Sequence, residues 1–297
     1  MKKALLFLIF HFSFSILYSA SAQNVLIVTA HPDDEIAGAV TVYKITHELK
    51  GNVDLALITN GGGGYKYSTL AEDYYHLELT EEKIGRENLP RIRKTELMNA
   101  GKIIGIRNYF FLDQADKKYT TDEREPLDSL WDIPYIKNHL RELMAKTKYD
   151  FIFCLLPVPG THGHHKAATM LALEVVSELP KEQRPVILGM SDSGKQDTVK
   201  TVFTQLKNYA LTEVNENIPP FIVDRTTRFG YKNSLDYKII LNWEIAEHKS
   251  QGTLQMEMNQ GDYENFRYFK LNDEKGIEKT KKFFDELKKV PYPSKNY

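Results

Sequence analysis

One cysteine, Cys154, stands in a chain of 297 residues. That scarcity excludes an intrachain disulfide and any cysteine-based zinc cluster. Neither sign of charge dominates: 39 Lys and Arg face 40 Asp and Glu, a formal net charge of -1. No basic excess points to nucleic acid or to an anionic membrane surface. Glycine, at 17, and proline, at 12, are too sparse for a collagen-like or low-complexity chain. Long apolar runs are missing except near the N-terminus. There Lys2 and Lys3 precede an apolar stretch, 4–17, broken by His11, Ser13 and Ser15 and followed by Ala20-Ser21-Ala22. That is the pattern of a cleavable leader with an A-x-A signal, and it is too short and polar to span a bilayer of ~30 Å hydrocarbon. Residues 1–22 are therefore expected to be a signal peptide. The mature chain would start at Gln23 and be exported to a bacterial periplasm or exterior, with no stable membrane insertion. No cysteine near the cleavage point suits a lipoprotein anchor.

What is present is ordinary for a globular protein, 42% hydrophobic and 27% charged. Short β-branched or apolar runs at 25–29, 53–59, 107–112, 150–156 and 185–190 read as strands. Helical spacing fills 34–50, 91–104, 134–148 and 164–179 between them. Segment 65–90, polar and rich in tyrosine, reads as an insertion near the site. Strand and helix alternate, which predicts an α/β fold: a doubly wound, mostly parallel, Rossmann-like sheet with helices on both faces. Past residue 192 the rhythm weakens, leaving a helix at 239–251 and a charged helical tail from 272. Residues 23–297 are expected to form one domain, a core at 24–190 with a C-terminal extension at 191–297. That extension would either continue the domain or form a small β-rich appendage.

Two segments carry chemistry. Ala30-His31-Pro32-Asp33-Asp34-Glu35 follows the first strand, at the carboxyl edge where open parallel sheets bind ligands. Acidic residues there can cap a helix and complement its dipole. Capping explains one carboxylate, not a histidine and two adjacent aspartates beside a proline. An imidazole and a carboxylate three residues apart can converge on one cation, leaving a neighbouring carboxylate free as a base. No G-x-G-x-x-G follows the strand, which disfavours a dinucleotide. Thr161-His162-Gly163-His164-His165 follows the fourth strand and starts a helix. Alone it would fit a weak surface metal patch. Two histidine-bearing turns at one edge instead supply two His and one Asp with open positions, the pattern of a catalytic metal. Zn2+ is favoured, and Fe2+ accepts the same set.

The AHPDDE turn and the later H-x-x-H turn together resemble the PIG-L (LmbE-like) zinc-dependent de-N-acetylases. Supporting pieces are Thr59-Asn60-Gly61 after the second strand and Arg93-Lys94-Thr95-Glu96-Leu97 on a helix. More weakly, 246–251 (AEHKSQ) resembles a late His-x-Ser-Gln segment. The resemblance implies zinc ligands His31, Asp34 and His165, with Asp33 as general base and His162 facing the reacting carbonyl. Arg93, with Asn60 and Gly61, would contact substrate. The family's His-Pro-Asp-His becomes His162-Gly163-His164-His165 here, so the aspartate that can orient the first histidine is missing. His164 reads as surface and not as a ligand. Gly61–Gly64 would let substrate approach closely, and Tyr65, Tyr67, Tyr74 and Tyr75 are candidate sugar-stacking rings. Ser191 and Ser193 lack a G-x-S-x-G elbow.

The expected function is secreted, zinc-dependent removal of the N-acetyl group from an N-acetylated amino sugar of GlcNAc type. The alternatives are an amidase acting on a larger N-acyl or thiol-sugar conjugate, and a non-catalytic carbohydrate-binding protein. The sequence carries no signal for the oligomeric state.

Overall fold

The structure, a computed structural model, describes residues 22–197 and 202–292. The expected signal peptide lies outside the described residues. In chain order the elements are β1 (Asn24–Thr29), α1 (Ala39–Tyr43), β2 (Asn52–Thr59), α2 (Ala71–Tyr75), α3 (Glu82–Ile104), β3 (Ile106–Gln114), α4 (Ile133–Lys146), β4 (Phe151–Leu155), α5 (Gly163–Glu178) and β5 (Val186–Ser193). Then come β6 (Phe221–Asp224), β7 (Arg228–Phe229), β8 (Leu235–Asp236), α6 (Lys238–Glu247), α7 (Gly252–Gln255), β9 (Tyr263–Tyr268) and α8 (Glu274–Leu287).

One seven-stranded sheet runs β3-β2-β1-β4-β5-β9-β6. The first five strands pair in parallel, whereas β9 pairs antiparallel with both β5 and β6. The α/β fold is thus as expected, and the C-terminal third extends the same sheet. The strands read as unbroken apolar runs because both faces are covered. Val25, Ile27, Phe151 and Phe153 feed one core, together with side chains of α3, α6 and α8. Leu26, Val28, Ile152 and Cys154 feed the other, with α4 and α5.

Two segments depart from the sequence reading. Residues 34–50 are not one helix but a 3-10 turn (Asp34–Gly38), α1 and a π turn (Lys44–Glu48). The break follows from Glu264 on β9, which accepts from Val40 N and Thr41 N at 2.8 Å each and so caps α1 at its own start. The supposed insertion at 65–90 folds into α2 and the first turns of α3, which passes through Pro90. Pro90 forfeits a helix hydrogen bond, but Gly85, Leu89, Ile92, Leu97 and Ala100 keep a buried stripe at helical spacing across it. Gly105, at φ 85, ends α3 as expected.

Strand order reverses between β1 and β4: the chain winds outward through β2 and β3, then returns to add β4 and β5 on the other side. The crevice beyond their carboxyl ends is the place where this fold binds ligands. His31 follows β1, and 162–165 follow β4.

Candidate metal centre and active site

After β1 the chain makes a tight turn, with Asp33 N–H donating to the His31 carbonyl at 3.1 Å. Pro32, whose φ is fixed, occupies the centre of that three-residue turn. The turn brings Asp34 back onto the strand end. Its Oδ2 accepts from the backbone N–H groups of Ala30 (2.9 Å) and His31 (2.8 Å). Its Oδ1 is thereby aimed at His165 Nε2, 3.1 Å away, and at His31 Nδ1, 3.7 Å away. His31 Nδ1 and His165 Nε2 are themselves 3.0 Å apart.

These three atoms form a triangle with edges of 3.0, 3.1 and 3.7 Å. Donors bound tetrahedrally at ~2.0–2.1 Å would lie about 3.3 Å from one another. The residues therefore fit a divalent cation. The outer nitrogens are also held: Thr161 Oγ1 lies 3.0 Å from His165 Nδ1, and His164 Nδ1 lies 3.1 Å from His31 Nε2. Such partners fix the orientation of ligating imidazoles. His31, His162 and His164 also bring three nitrogens within 4.8 Å of one another. That group lacks a carboxylate, and its His162 Nδ1 already accepts the His164 backbone N–H at 2.9 Å.

The electrostatics favour positive charge at the triangle. Burial opposes a charge on His31, yet Asp116 and Asp34 outweigh it and push its pKa up to about 10. Asp34 is held well below the usual carboxylate range: burial works against this, but His165 and His31 prevail. Burial, followed by the charge on His31, pushes His162 and His164 down to about 3 each. His162 is therefore neutral. With Nδ1 accepting, its proton sits on Nε2, so the ring is a hydrogen-bond donor from that nitrogen. Its tautomer is set by the backbone in place of the family's usual aspartate.

Asp33 points elsewhere. Its φ of 150 is a strained conformation for a side-chain-bearing residue. Its Oδ2 accepts from Arg93 Nη2 at 2.9 Å. Burial pushes its pKa up, with Arg93 opposing and Asp34 assisting. A raised carboxyl is suited to exchanging a proton near neutral pH.

Arg93 is almost wholly buried on α3 and donates to Gly61 O (2.8 Å) and Pro32 O (3.1 Å) as well as to Asp33. It lines the cavity but spends these donors on holding the two loops together. Asn60 Oδ1 accepts from Gly62 N–H at 2.9 Å. Asn60 and Gly61 brace the loop and are not in the cavity wall, whereas Gly63 and Gly64 are. Those glycines make room for protein groups: a Cβ on Gly63 would sit 2.4 Å from the Lys117 carbonyl. Of the four tyrosines, Tyr65 and Tyr67 line the cavity, while the Tyr75 hydroxyl donates to Glu96 and Tyr74 is exposed.

His164 is not the surface residue that its sequence position suggests. It is fully buried, 0% exposed, and packs beside Trp131 with ring centroids 5.1 Å apart. Asp116, unremarked in the sequence, lies 3.6 Å from both His31 Nε2 and His164 Nδ1 and accepts from Gly63 N–H at 2.9 Å. Charge on His31 and Arg93 overcomes its burial and keeps it well below the ordinary carboxyl range. Its one sequence signal is position, two residues past the third strand at the same sheet edge. Glu35 turns away from the metal triangle and pairs with His248 Nε2 at 2.7 Å.

The fold and the paired turns define an α/β protein with a buried His/Asp centre at the switch point of its sheet. The chain belongs to the PIG-L family, described as GlcNAc-PI de-N-acetylase, which matches residues 26–176. It is similar to the probable N-acetyl-alpha-D-glucosaminyl L-malate deacetylase 2 of Bacillus cereus and of Bacillus subtilis. It is 27% and 25% identical to them over 177 residues, which is 60% of this chain and 71% of each relative. Among solved structures, a deacetylase–teicoplanin complex aligns with a TM-score of 0.52 at 10% identity, covering 83% of this chain and 99% of that one. The 4-carboxy-2-hydroxymuconate hydratase GalB of Pseudomonas putida aligns at 0.53 and 11% identity, covering 82% and 95%. These likenesses establish the fold. A deacetylase and a hydratase share it, so the reaction must be argued from the site.

Proposed function

We propose that the chain is a zinc-dependent hydrolase that removes the N-acetyl group from an N-acetylated amino sugar. The observation that carries this reading is the triangle of His31 Nδ1, Asp34 Oδ1 and His165 Nε2, with Asp33 on the same turn but outside it. A zinc ion held by those three would lower the pKa of water and polarise an amide carbonyl. Asp33, raised by burial, accepts the proton of the attacking water and later delivers it to the amine as the C–N bond breaks. The products are acetate and the free amino sugar. His162 Nε2–H donates to the carbonyl oxygen as it gains negative charge, a contact worth about 2.7–4 kcal/mol at comparable sites. Arg93 steers Asp33 by holding one of its oxygens, leaving the other for the proton. The family's description and the similarity to the Bacillus deacetylases support an N-acetylated sugar as substrate.

The leader pattern supports export, with Gln23 as the mature N-terminus; intact-mass analysis of the secreted protein would read this directly. No helix among the described residues is long and apolar enough to cross a membrane. The function itself is tested by stripping the protein of metal, reloading it with Zn2+ or Fe2+, and measuring acetate release from N-acetylated sugars. Zinc-restored release is expected. A metal-loaded protein that binds these sugars without releasing acetate would make it a binding protein instead.

A further inference from the structure

The cavity next to the metal triangle is larger than the reaction needs. At about 850 Å3 it lies near the top of the ~300–1,000 Å3 range of pockets that enclose drug-sized ligands. One wall carries His31, Asp33, Asp34 and His162, all inside the family match at 26–176. A further part of the lining comes from α6, α7 and the turn after Asp34, and it brings in apolar side chains. Leu241 and Ile245 on α6, Leu254 on α7, and Ile36 and Ala37 on the turn all line the cavity, beside the polar Thr253, Glu257 and Gln260. Three of the five apolar residues lie beyond residue 176. Ile36, Ala37 and Leu254 are only half-buried, although they pack against the main core. Arg225, which also lines the cavity, has Nε engaged with Glu264 at 2.9 Å and Nη2 with the backbone carbonyl of Ile36 in this same wall at 2.9 Å. Apolar surface left open inside a cavity beside a polar reaction centre gains by burying an apolar part of the ligand.

We infer that this wall is a subsite for a linear alkyl group on the substrate, with Leu254 and Ala37 setting its length. The inference rests on the amide-hydrolase reading for the reaction, but not for the binding. An alkyl group can enter by two routes, as the N-acyl chain or as an alkyl aglycone, and the test has an arm for each. In one arm kcat/KM is measured for N-acetyl, N-butanoyl and N-octanoyl glucosamine. In the other, N-acetylglucosamine is compared with its octyl β-glycoside. Binding of octyl β-D-glucoside, below its micelle threshold, is followed by calorimetry with and without Zn2+.

At least one arm should rise by about fourfold per methylene over the first few carbons, and octyl glucoside should bind whether or not zinc is present. Leu254→Asn makes the wall polar and Ala37→Leu fills it; each should cut the long-to-short ratio at least tenfold. If one variant misfolds, the other and the wild-type series still decide. A flat response in both arms, with no octyl glucoside binding, overturns the subsite while acetate release keeps the deacetylase reading. Binding of octyl glucoside that both variants weaken, without hydrolysis of any amide, keeps the subsite and overturns the hydrolase.

Discussion

Asp34 and Glu35 are neighbours on one turn, and their carboxylates serve opposite sides of it. In front, both Asp34 oxygens are engaged: Oδ2 by two backbone amides, Oδ1 by the histidine nitrogens. Behind, Glu35 Oε1 pairs with His248, but among the described residues Oε2 has no hydrogen-bond partner, and neither oxygen of Glu244 has one. The front holds donors in place around a point where a cation fits. The back joins α6 and the sheet's antiparallel extension to the turn. It gathers three fully buried carboxylates, Glu35, Glu244 and Glu264, around two basic groups, His248 and Arg225. One sequence position separates a centre built for charge from a junction with one acid too many. The difference teaches that burial alone does not mark a functional carboxylate; the set of donors that share a point with it does.

The comparison breaks most visibly if the front is emptied. Asp34→Ala removes the only carboxylate of the triangle and frees two backbone amides, so bound zinc should fall to near zero. His164→Ala takes away only the partner of His31 Nε2. It should retain the metal with about 10–100-fold weaker affinity, the usual effect of losing an outer partner. Metal titration of the stripped variants separates these outcomes. A full site in Asp34→Ala together with an empty one in His164→Ala would shift the centre to the three-histidine group.

A smaller change should cut turnover and leave the metal in place. Asp33→Asn keeps the shape of the side chain but cannot accept a proton, so kcat should drop ~10²–10⁴-fold in a zinc-loaded protein. Asp33→Gly should be equally inactive, and its stability sets relief of a strained backbone against loss of the carboxylate that pairs with buried Arg93 at 2.9 Å. Its φ of 150 suits glycine, and releasing such a conformation is worth about 1–3 kcal/mol. Steady-state acetate release and urea midpoints, measured on the same preparations, check both. Normal turnover in Asp33→Asn would leave the base unassigned.

The front was legible in the sequence because its parts are local. His31, Asp33 and Asp34 span four residues after an apolar run, and His162 and His165 follow another such run. Asp116 was hidden: a lone aspartate after β3 has no pattern, and only the loop's return to Gly63 and His31 gives it a role. The back was less legible still. Glu35 and His248 lie 213 residues apart, so no spacing rule connects them. Strand β9, YENFRY, has the alternation of a half-buried strand, with Glu264, Phe266 and Tyr268 inward. A glutamate in the inward register disguises that alternation, since a buried acid is read as exposed. It is inward because it caps α1 and pairs with Arg225. Pro90 misled for a related reason: helix rules place an end before a proline, while burial along α3 carries the helix through.

At the back, breaking the buried pair should cost stability before it costs chemistry. Burial works against a charge on His248, but Glu35 outweighs it and raises its pKa. The pair's contribution is therefore present at lower pH and lost as pH rises through the raised value. His248→Ala removes the 2.7 Å partner of the wholly buried Glu35, and breaking a buried pair from one side typically costs about 3–5 kcal/mol. Urea denaturation at pH 7 measures it. A loss under 1 kcal/mol would mean that water reaches Glu35 and that the junction is softer than the front.

The smallest effect has the opposite sign. Glu244 is wholly buried, and its pKa is raised well above the ordinary 4.5, chiefly by burial and then by Glu35 and Glu264, with Arg225 opposing. A raised folded-state value means that the fold holds a proton the unfolded chain gives up. The associated stability is complete below about pH 4.5 and declines as pH climbs toward the raised value. Glu244→Gln is neutral at every pH and does not share that decline. It should match the parent near pH 4.5 and exceed it increasingly toward neutral and alkaline pH, by an amount on the order of 1–3 kcal/mol. For a chain of this size that is several degrees of melting temperature. Thermal melts of both proteins from pH 4.5 to 9 would show the curves separating upward. Parallel curves would mean that Glu244 is ionised in the fold and that Arg225 balances it, removing the excess acid that sets the back apart from the front.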